Sequence, residues 1–174
     1  LHRAFHALPP LTTKKGEPVG AVYGFLLIFL RIIKEFQPDF IAACFDFPAK
    51  NFRHLQFEEY KAKRPPLPES LSLQISKTKE VLKIFGVPTF EKQGFEADDI
   101  IATLAKRVKD AQVIIVSGDL DALSLVGEQI KVFALRKGIK NTVLYDLNLV
   151  REKYQGLIPE QLVDLRALRG DASD

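Results

Sequence analysis

The sequence of 174 residues contains one cysteine, three histidines and no methionine. A single cysteine cannot form a disulfide within the chain, and we expect Cys44, inside the apolar run Phe40–Phe45, to be a buried structural thiol in a reducing compartment. Three scattered histidines are too few to build a zinc site. Because the chain opens at Leu1 and lacks methionine, we expect it to be a fragment whose natural start is missing.

Long apolar runs are absent as well. The longest, Val19–Leu30, contains glycines and is shorter than the roughly 20 apolar residues that cross a bilayer. No signal peptide or lipidation motif is recognisable, so we expect no membrane partner. The sequence also lacks a glycine-rich phosphate loop and a GxSxG nucleophile motif, so phosphate or acyl chemistry of those two kinds is not indicated.

Short apolar runs alternate with helical periods, which predicts an α/β fold. The predicted strands are Phe40–Phe45, Val87–Phe90, Val113–Val116, Ile130–Phe133 and, at the sheet edge, Thr142–Tyr145. The predicted helices are Val19–Phe36, Ile75–Phe85, Ala97–Lys109, Asp121–Val126, Leu147–Tyr154 and Pro159–Arg169. With 47% hydrophobic residues the chain can bury a core, and the alternation indicates one domain with a three-layer, mostly parallel sheet.

The segment of about residues 48–73 departs from this pattern because it is rich in charge and proline. Residues 50–64 carry five basic and two acidic side chains, whereas residues 91–121 carry seven acidic and four basic ones. Arg53–Lys63 is compatible with a helix, but the prolines at 65, 66 and 68 forbid one continuous helix. Aromatic side chains are interleaved with the basic side chains in this segment. This mixture is suited to binding phosphates and to stacking on the unpaired bases of a nucleic acid. The alternative is an ordinary solvated face.

Eight carboxylates fall in four short clusters. They are Asp46; Glu96, Asp98 and Asp99; Asp119 and Asp121; and Asp171 and Asp174. The first and third clusters follow predicted strands, and residues just past the carboxyl ends of strands line one crevice in open α/β sheets. Converging carboxylates repel one another unless a cation is present, and oxygen-only ligands suit Mg²⁺ or Mn²⁺. The sequence therefore predicts a metal-dependent phosphoryl-transfer site.

Each cluster also has a structural alternative. Acids in the first turn of a helix complement the helix dipole, which would account for Glu96 to Asp99. Asp119 and Asp121 can be a helix N-cap and a first-turn acid, and Asp46 can be paired with an arginine or lysine. The acids at the end of the sequence can belong to an ordinary turn.

Several motifs together resemble a known family. They are Arg3-Ala4-Phe5-His6-Ala7, Gly16-Glu17-Pro18, Ala21-Val22-Tyr23-Gly24-Phe25, Phe45-Asp46, Phe52-Arg53-His54, Tyr60-Lys61-Ala62-Lys63-Arg64-Pro65-Pro66, Glu96-Ala97-Asp98-Asp99, Ser117-Gly118-Asp119-Leu120-Asp121 and Gly170-Asp171-Ala172-Ser173-Asp174. In this order they resemble the 5′-nuclease domain of bacterial DNA polymerase I and its stand-alone flap-endonuclease relatives. The resemblance implies a PIN-like, 5′-nuclease fold over residues 1–174 with a basic helical arch at about 48–73. It also implies that an N-terminal strand and a C-terminal helix-hairpin element are missing.

The resemblance implies a 5′-3′ exonuclease and 5′-flap endonuclease that hydrolyses DNA phosphodiester bonds in replication and repair, with two or more Mg²⁺ or Mn²⁺ ions. All eight acids would be metal ligands or lie just behind the ligands. Lys61 and Arg64 would be catalytic. The implied DNA-binding residues are Arg3, Tyr23, Arg53, Lys61, Lys63 and Arg64.

The implied partners are DNA with 5′ ends or 5′ flaps and a DNA polymerase, fused downstream or separate, and the implied location is the cytoplasmic nucleoid. One departure from the family is Leu120, which occupies the place of a basic residue inside the GDxD motif. Two alternatives stay open. One is a PIN-type ribonuclease, which shares an acidic α/β site, and the other is a non-catalytic DNA-binding module.

Overall fold

The computed structural model describes residues 1–62, 64–137 and 141–170. The chain forms two compact units, each built from two separate stretches. Unit 1 comprises Leu1–Ala43 and Pro65–Phe90, and unit 2 comprises Cys44–Arg64 and Glu91–Asp174. Within the described stretches, every helix is too short or too polar to span a bilayer.

The regular elements follow one another along the chain as alternating helices and short strands. The helices are α1, His2–Ala7; α2, Gly20–Phe36; α3, Phe52–Gln56; α4, Glu69–Ile84; α5, Ala97–Arg107; a 3₁₀ helix, Leu120–Leu125; α6, Leu147–Lys153; and α7, Gln161–Arg169. The strands are β1, Ala43–Cys44; β2, Thr89–Phe90; β3, Val113–Ser117; β4, Ile130–Lys137; and β5, Asn141–Tyr145.

In unit 1, α1 packs against α2 at a glycine. Ala4 of α1 is buried, and a Cβ atom added to Gly24 of α2 would lie 2.5 Å from the Ala4 Cβ and 2.9 Å from the Leu8 Cδ1. Only a residue without a side chain allows the two helices to approach this closely.

The start of α2 depends on a side chain from α4. Gln74 is buried, and its Oε1 accepts a hydrogen bond of 2.7 Å from the backbone amide of Ala21. The first amides of a helix have no partner within the helix, so this bond satisfies a donor that burial would otherwise leave unpaired.

The strand predicted for Phe40–Phe45 is much shorter than expected. Only β1, Ala43–Cys44, is extended and paired, and the amide of Ala43 donates to the carbonyl of Pro88 at 3.0 Å. Phe40 is 93% exposed, whereas Phe45 is 9% exposed. Among the described residues β1 has β2 as its single neighbour, so little of the apolar run is held in a sheet. The prediction of a fully buried strand was therefore wrong for the first half of Phe40–Phe45.

Unit 2 contains a three-stranded sheet in the order β3-β4-β5. β3 and β4 are parallel, and β4 and β5 are antiparallel. Three residues separate β4 from β5, too few for the crossover that a parallel pair requires. The hydrophobic core of unit 2 includes Ala105, Ile115, Leu123, Val126, Val132, Ala134, Tyr145, Val150 and Leu162. This sheet places Ser117, and the loop that contains Asp119, at the carboxyl end of β3.

The predicted helices α2, α5, α6 and α7 are confirmed within a few residues at each end. The segment Asp121–Val126 is a 3₁₀ helix, and α4 begins six residues earlier than predicted, directly after Pro68. The helix allowed for Arg53–Lys63 is limited to α3, and turns follow it. Helix α1 had no counterpart among the predictions. The single sheet expected from the alternation is represented, in the described residues, by two small sheets.

The close approach of α1 and α2 can be tested by substitution. Gly24→Ala should lower the free energy of unfolding by about 1–2 kcal/mol, because overpacking costs about 1–3 kcal/mol and the helix preference of alanine returns at most about 1 kcal/mol. Urea denaturation measures the difference. The matched control is Gly20→Ala in the same helix, where the nearest atom to the new Cβ is the Pro9 carbonyl oxygen at 3.5 Å. Equal effects of the two substitutions would contradict the packing described above.

Candidate functional site

Acidic side chains occupy the start of α5 in unit 2. Glu96 is the N-cap residue, and Asp99 Oδ2 accepts a hydrogen bond of 3.0 Å from the Glu96 amide. Asp46, which follows β1, accepts a hydrogen bond of 2.7 Å at Oδ1 from the amide of Ala97. Helix N-termini expose unpaired amides and carry partial positive charge, so carboxylates are stabilised there. The structural alternative for Glu96 to Asp99 is thus confirmed in part, since Asp99 satisfies an amide at this helix end. Asp46 bonds to a helix amide and forms no ion pair with a described arginine or lysine, which was its own structural alternative.

Arg53 of α3 makes a bidentate ion pair with Asp99. Its Nη1 lies 2.8 Å from Asp99 Oδ2, and its Nη2 lies 2.7 Å from Asp99 Oδ1. The hydrogen bonds from Arg53 lower the pKa of Asp99, and the same bonds raise the pKa of Arg53. Two parallel charge-assisted bonds fix the guanidinium plane, so α3 is held against the first turn of α5.

Glu96 is surrounded by donors from the basic segment. Its Oε1 accepts hydrogen bonds from Asn51 Nδ2 at 2.6 Å and from Lys61 Nζ at 2.8 Å, and the Tyr60 hydroxyl lies 3.1 Å away. Burial alone would raise the pKa of Glu96, but Lys61 and Tyr60 outweigh it, so the pKa is lowered. Burial would likewise lower the pKa of Lys61, and the contacts with Glu96 and Tyr60 raise it instead.

Asp98 differs from Glu96 and Asp99 because it forms no ion pair in the described part of the chain, although the charge of Lys61 acts to lower its pKa. Asp98 as a whole is solvent-exposed. The surrounding protein nevertheless removes part of the hydration of the carboxylate, and this desolvation raises the pKa of Asp98. The negative charges of Asp119, Asp46 and Glu96 raise the pKa of Asp98 further. Acids from three separate stretches of sequence therefore lie within electrostatic reach of one carboxylate. Burial also raises the pKa of Cys44, and Asp98 adds to that shift.

The turn after β3 contains the next two acids. Asp119 is the N-cap of the 3₁₀ helix and accepts a hydrogen bond of 2.8 Å from the Asp121 amide, while its own amide donates to Ser117 Oγ at 2.9 Å. Asp121 forms an ion pair with Arg166 of α7. An N-cap and a first-turn acid are the structural alternative for this cluster, and Asp119 and Asp121 occupy those two positions. Asp119 combines this capping role with its position beside Asp98.

The predicted acids therefore fall into two groups. Glu96, Asp99 and Asp121 contact lysine or arginine, whereas no ion pair is formed by Asp46, Asp98 or Asp119 with any described residue. In the same described stretches, no three histidine, cysteine or acidic side chains are close enough to hold a metal ion as they stand. The donors fit a hard divalent cation in kind, since Asp46, Asp98 and Asp119 offer exposed carboxylate oxygens whose mutual repulsion a cation would relieve.

The remaining predicted residues belong partly to unit 1 and partly to unit 2. Arg3 is in α1 and Tyr23 is in α2, so both belong to unit 1, and Tyr23 is 49% exposed. Arg64 is an exposed residue of unit 2. Three predicted residues lie outside the described residues. They are Lys63, Asp171 and Asp174.

Sequence reasoning missed Asn51. Its Oδ1 accepts hydrogen bonds from the amides of Arg53 and His54 at 3.0 and 3.2 Å, so it is the N-cap of α3, and its other end reaches Glu96. An asparagine directly before Phe52-Arg53-His54 is a recognisable N-cap signal. The contact with Glu96, 45 residues away, has no signal in the sequence.

Two solved structures resemble this fold. The T5 D15 protein co-crystallised with metal ions is 22% identical, with a TM-score of 0.68, over 87% of this chain and 59% of that one. The catalytic core of Rad2 in complex with DNA substrate is 19% identical, with a TM-score of 0.55, over 98% of this chain and 51% of that one. The chain is therefore an α/β protein with the 5′-nuclease fold. This confirms the fold class predicted from the sequence.

The family is shown by sequence. The chain belongs to the family described as 5′-3′ exonuclease, N-terminal resolvase-like domain, whose model matches residues 1–155. Relatives named DNA polymerase I are 39% identical in Caldicellulosiruptor bescii, over 100% of this chain and 21% of the relative, and 41% identical in Bacillus subtilis, over 99% and 20%. In Mycobacterium tuberculosis the identity is 43%, over 99% and 19%. The chain spans about a fifth of the length of these curated relatives.

The crowding of charge around Asp98 predicts an effect on stability. In EDTA, Asp98→Asn should raise the free energy of unfolding at pH 7 by at most about 1 kcal/mol, because solvent screens an exposed group. The folded state of the wild type binds a proton at Asp98 more tightly than the unfolded state does. Its stability contribution is therefore lost as the pH rises from the ordinary aspartate pKa through the raised folded pKa.

Denaturation in urea at several pH values measures this trend. The matched control is Asp110→Asn, which removes the same charge at an exposed loop position. We expect the control to leave both the stability and its pH dependence close to those of the wild type. A loss of stability in Asp98→Asn at pH 7 would contradict the repulsion assigned to this site.

Proposed function

We propose that this chain is the catalytic region of a divalent-metal-dependent 5′-3′ exonuclease and 5′-flap endonuclease, which hydrolyses DNA phosphodiester bonds in replication and repair. The observation that carries the proposal is the grouping of Asp46 and Asp119 around Asp98, three acids that form no ion pair with a described residue, in a member of the 5′-3′ exonuclease family. Basic side chains lie beside this group. A phosphodiester needs both kinds of group, since cations must offset its charge and a water must be activated to attack it.

Asp46, Asp98 and Asp119 are the residues that we assign to the metal, with Glu96, Asp99, Asp121, Asp171 and Asp174 as further ligands or as supports behind them. Mg²⁺ is the proposed ion, with Mn²⁺ as a substitute and at least two ions in the active state. Divalent ions supply charge compensation and an activated water when bound. The proposal is supported by the solved relatives, because the T5 D15 protein was co-crystallised with metal ions and a T5 5′-exonuclease structure contains zinc.

Lys61 and Arg64 are assigned to the phosphate that is cut. Lys61 Nζ lies 2.8 Å from Glu96 Oε1, so its ammonium group is beside the acidic cluster. Arg53, Lys63, Arg3 and Tyr23 are proposed to contact the DNA. The structures of Rad2 and of the T5 D15 flap endonuclease with DNA support this kind of substrate.

The organisation of the whole protein is also a proposal. Residues 1–174 would act as one catalytic domain, with the stretch of about 48–73 as the arch that guides a 5′ strand. Because the relatives are about five times as long as this chain and are named DNA polymerase I, a polymerase, fused downstream or separate, is the proposed partner. A protein that acts on chromosomal DNA in bacteria would work at the nucleoid, in the cytoplasm.

The metal-binding acids can be tested on a 5′-flap DNA substrate with Mg²⁺. Asp119→Asn should reduce cleavage by more than about 100-fold, because even substitutions behind the ligands of a metal site cost about 10–100-fold. Asp119→Asn keeps an N-cap side chain, so the circular dichroism spectrum should be unchanged. Asp110→Asn is the control for charge alone. Cleavage retained in Asp119→Asn would refute the assignment, cleavage of RNA alone would favour a PIN-type ribonuclease, and binding without cleavage would favour a DNA-binding module.

The two basic residues assigned to the phosphate, Lys61 and Arg64, can be tested separately from the metal site. Lys61→Ala and Arg64→Ala should each slow single-turnover cleavage by about 100-fold, the usual effect of removing one donor to transition-state charge. Mg²⁺ binding, measured by titration calorimetry, should persist in both variants because neither residue supplies an oxygen ligand. Lys109→Ala, an exposed base outside the segment, is the control. Unchanged rates in both variants would remove the basic segment from the mechanism.

A further inference from the structure

Asn51 is a polar side chain buried in unit 2. It is 5% exposed, and a buried primary amide is stable only when its oxygen and its nitrogen both find partners. The oxygen accepts from the amides of Arg53 and His54 at 3.0 and 3.2 Å, and His54 Nδ1 lies 2.7 Å from it. The nitrogen donates to Glu96 Oε1 at 2.6 Å. Each end of the amide is therefore used.

The two ends of Asn51 meet two parts of the site that are far apart in sequence. One end fixes the first turn of α3, which contains Arg53, and the other fixes the carboxylate of Glu96 at the start of α5. Arg53 in turn binds Asp99, and Asp99 accepts from the Glu96 amide. These contacts close a ring of four residues through side chains and two backbone amides, which couples α3 to the first turn of α5.

A simple N-cap would not need an amide. Serine, threonine and aspartate cap helices as well as asparagine does, but their side chains carry only an oxygen to the cap. A serine or threonine hydroxyl can accept and donate, but it does both through one oxygen atom, and the serine side chain is also shorter than that of asparagine. Aspartate would place another negative charge against Glu96. Among these capping residues, only asparagine accepts from α3 through one atom and donates to a carboxylate through another.

We propose that Asn51 is a positioning residue for the cleavage reaction, which aligns Glu96 and Arg53 around Asp98 through the two ends of its amide. This inference rests on the proposed nuclease function for its effect on catalysis. It assigns no contact between Asn51 and the substrate, because the amide is buried and both of its ends are occupied. A positioning residue of this kind affects the rate of the chemical step more than it affects DNA binding.

The test compares two substitutions in the full chain. Asn51→Ser keeps the cap of α3 and loses the donor to Glu96, whereas Asn51→Ala loses both. In Asn51→Ser we expect kcat on 5′-flap DNA to fall by about tenfold, the equivalent of one hydrogen bond to a charged group, with KM within about twofold. Mg²⁺ affinity of the DNA-free protein, measured by calorimetry, should fall as well. Asn51→Ala should show the same losses together with a lower melting temperature.

The control is Asp146→Ala, which removes the N-cap of α6, where Asp146 Oδ1 accepts from the Leu149 amide at 2.9 Å. It should lower the melting temperature and leave kcat and Mg²⁺ affinity unchanged. Hydrogen exchange supplies a readout that does not depend on activity. The Glu96 amide should exchange about tenfold faster in Asn51→Ser than in the wild type, and at the wild-type rate in Asp146→Ala.

The outcomes separate the two proposals. If the wild type neither binds Mg²⁺ nor cuts DNA, the proposed function fails, and the exchange of the Glu96 amide still decides whether Asn51 aligns the start of α5. If the wild type cuts DNA and Asn51→Ser matches it in kcat, Mg²⁺ affinity and exchange, Asn51 is a helix cap alone and the inference is overturned.

Discussion

The compensation of negative charge at the start of α5 is the constraint on which the rest of unit 2 depends. Glu96, Asp98 and Asp99 stand in one helical turn, and Asp46 approaches the same turn from the end of β1. Such a cluster is stable only if cations or amides offset the charge. Arg53, Lys61 and the amides of α5 offset the negative charge. The contacts of Arg53 and Lys61 hold their stretches of chain against the start of α5. The acids thereby determine where the basic segment lies.

This arrangement divides the acids by their partners and not by their order in the sequence. Glu96 and Asp99 are adjacent to Asp98, yet they are bound by lysine and arginine while Asp98 is left with other carboxylates around it. The helix turns by about 100° per residue, so neighbours in sequence face different surroundings. Acids that stabilise the fold and acids that are available for chemistry can therefore occupy the same helical turn. A single interpretation, structural or chemical, does not fit all the acids at the start of α5.

Much of the fold could be predicted because the helices have a clear apolar period, as in α5 and α2. The strand at Phe40–Phe45 could not, since an apolar run indicates burial but does not reveal how many neighbours a strand will have. The nearness of Asp46, Asp98 and Asp119 was foreseeable from their positions after strands and at a helix start. The partners of Glu96 were not, because the bonds from Asn51, Tyr60 and Lys61 join residues at least 35 positions apart. Only the folded chain brings them together.

The bond between Gln74 and the Ala21 amide has a consequence for the order of folding during synthesis. The first turn of α2 is completed by a residue that leaves the ribosome 53 positions later. Between the two lies the whole of the stretch Cys44–Arg64, which belongs to unit 2 and in turn awaits Glu91 and the residues beyond it. Each unit is thus interrupted by the other, and contacts between distant segments slow folding. The nascent chain must carry α1 and α2 without their buried partner until α4 has emerged.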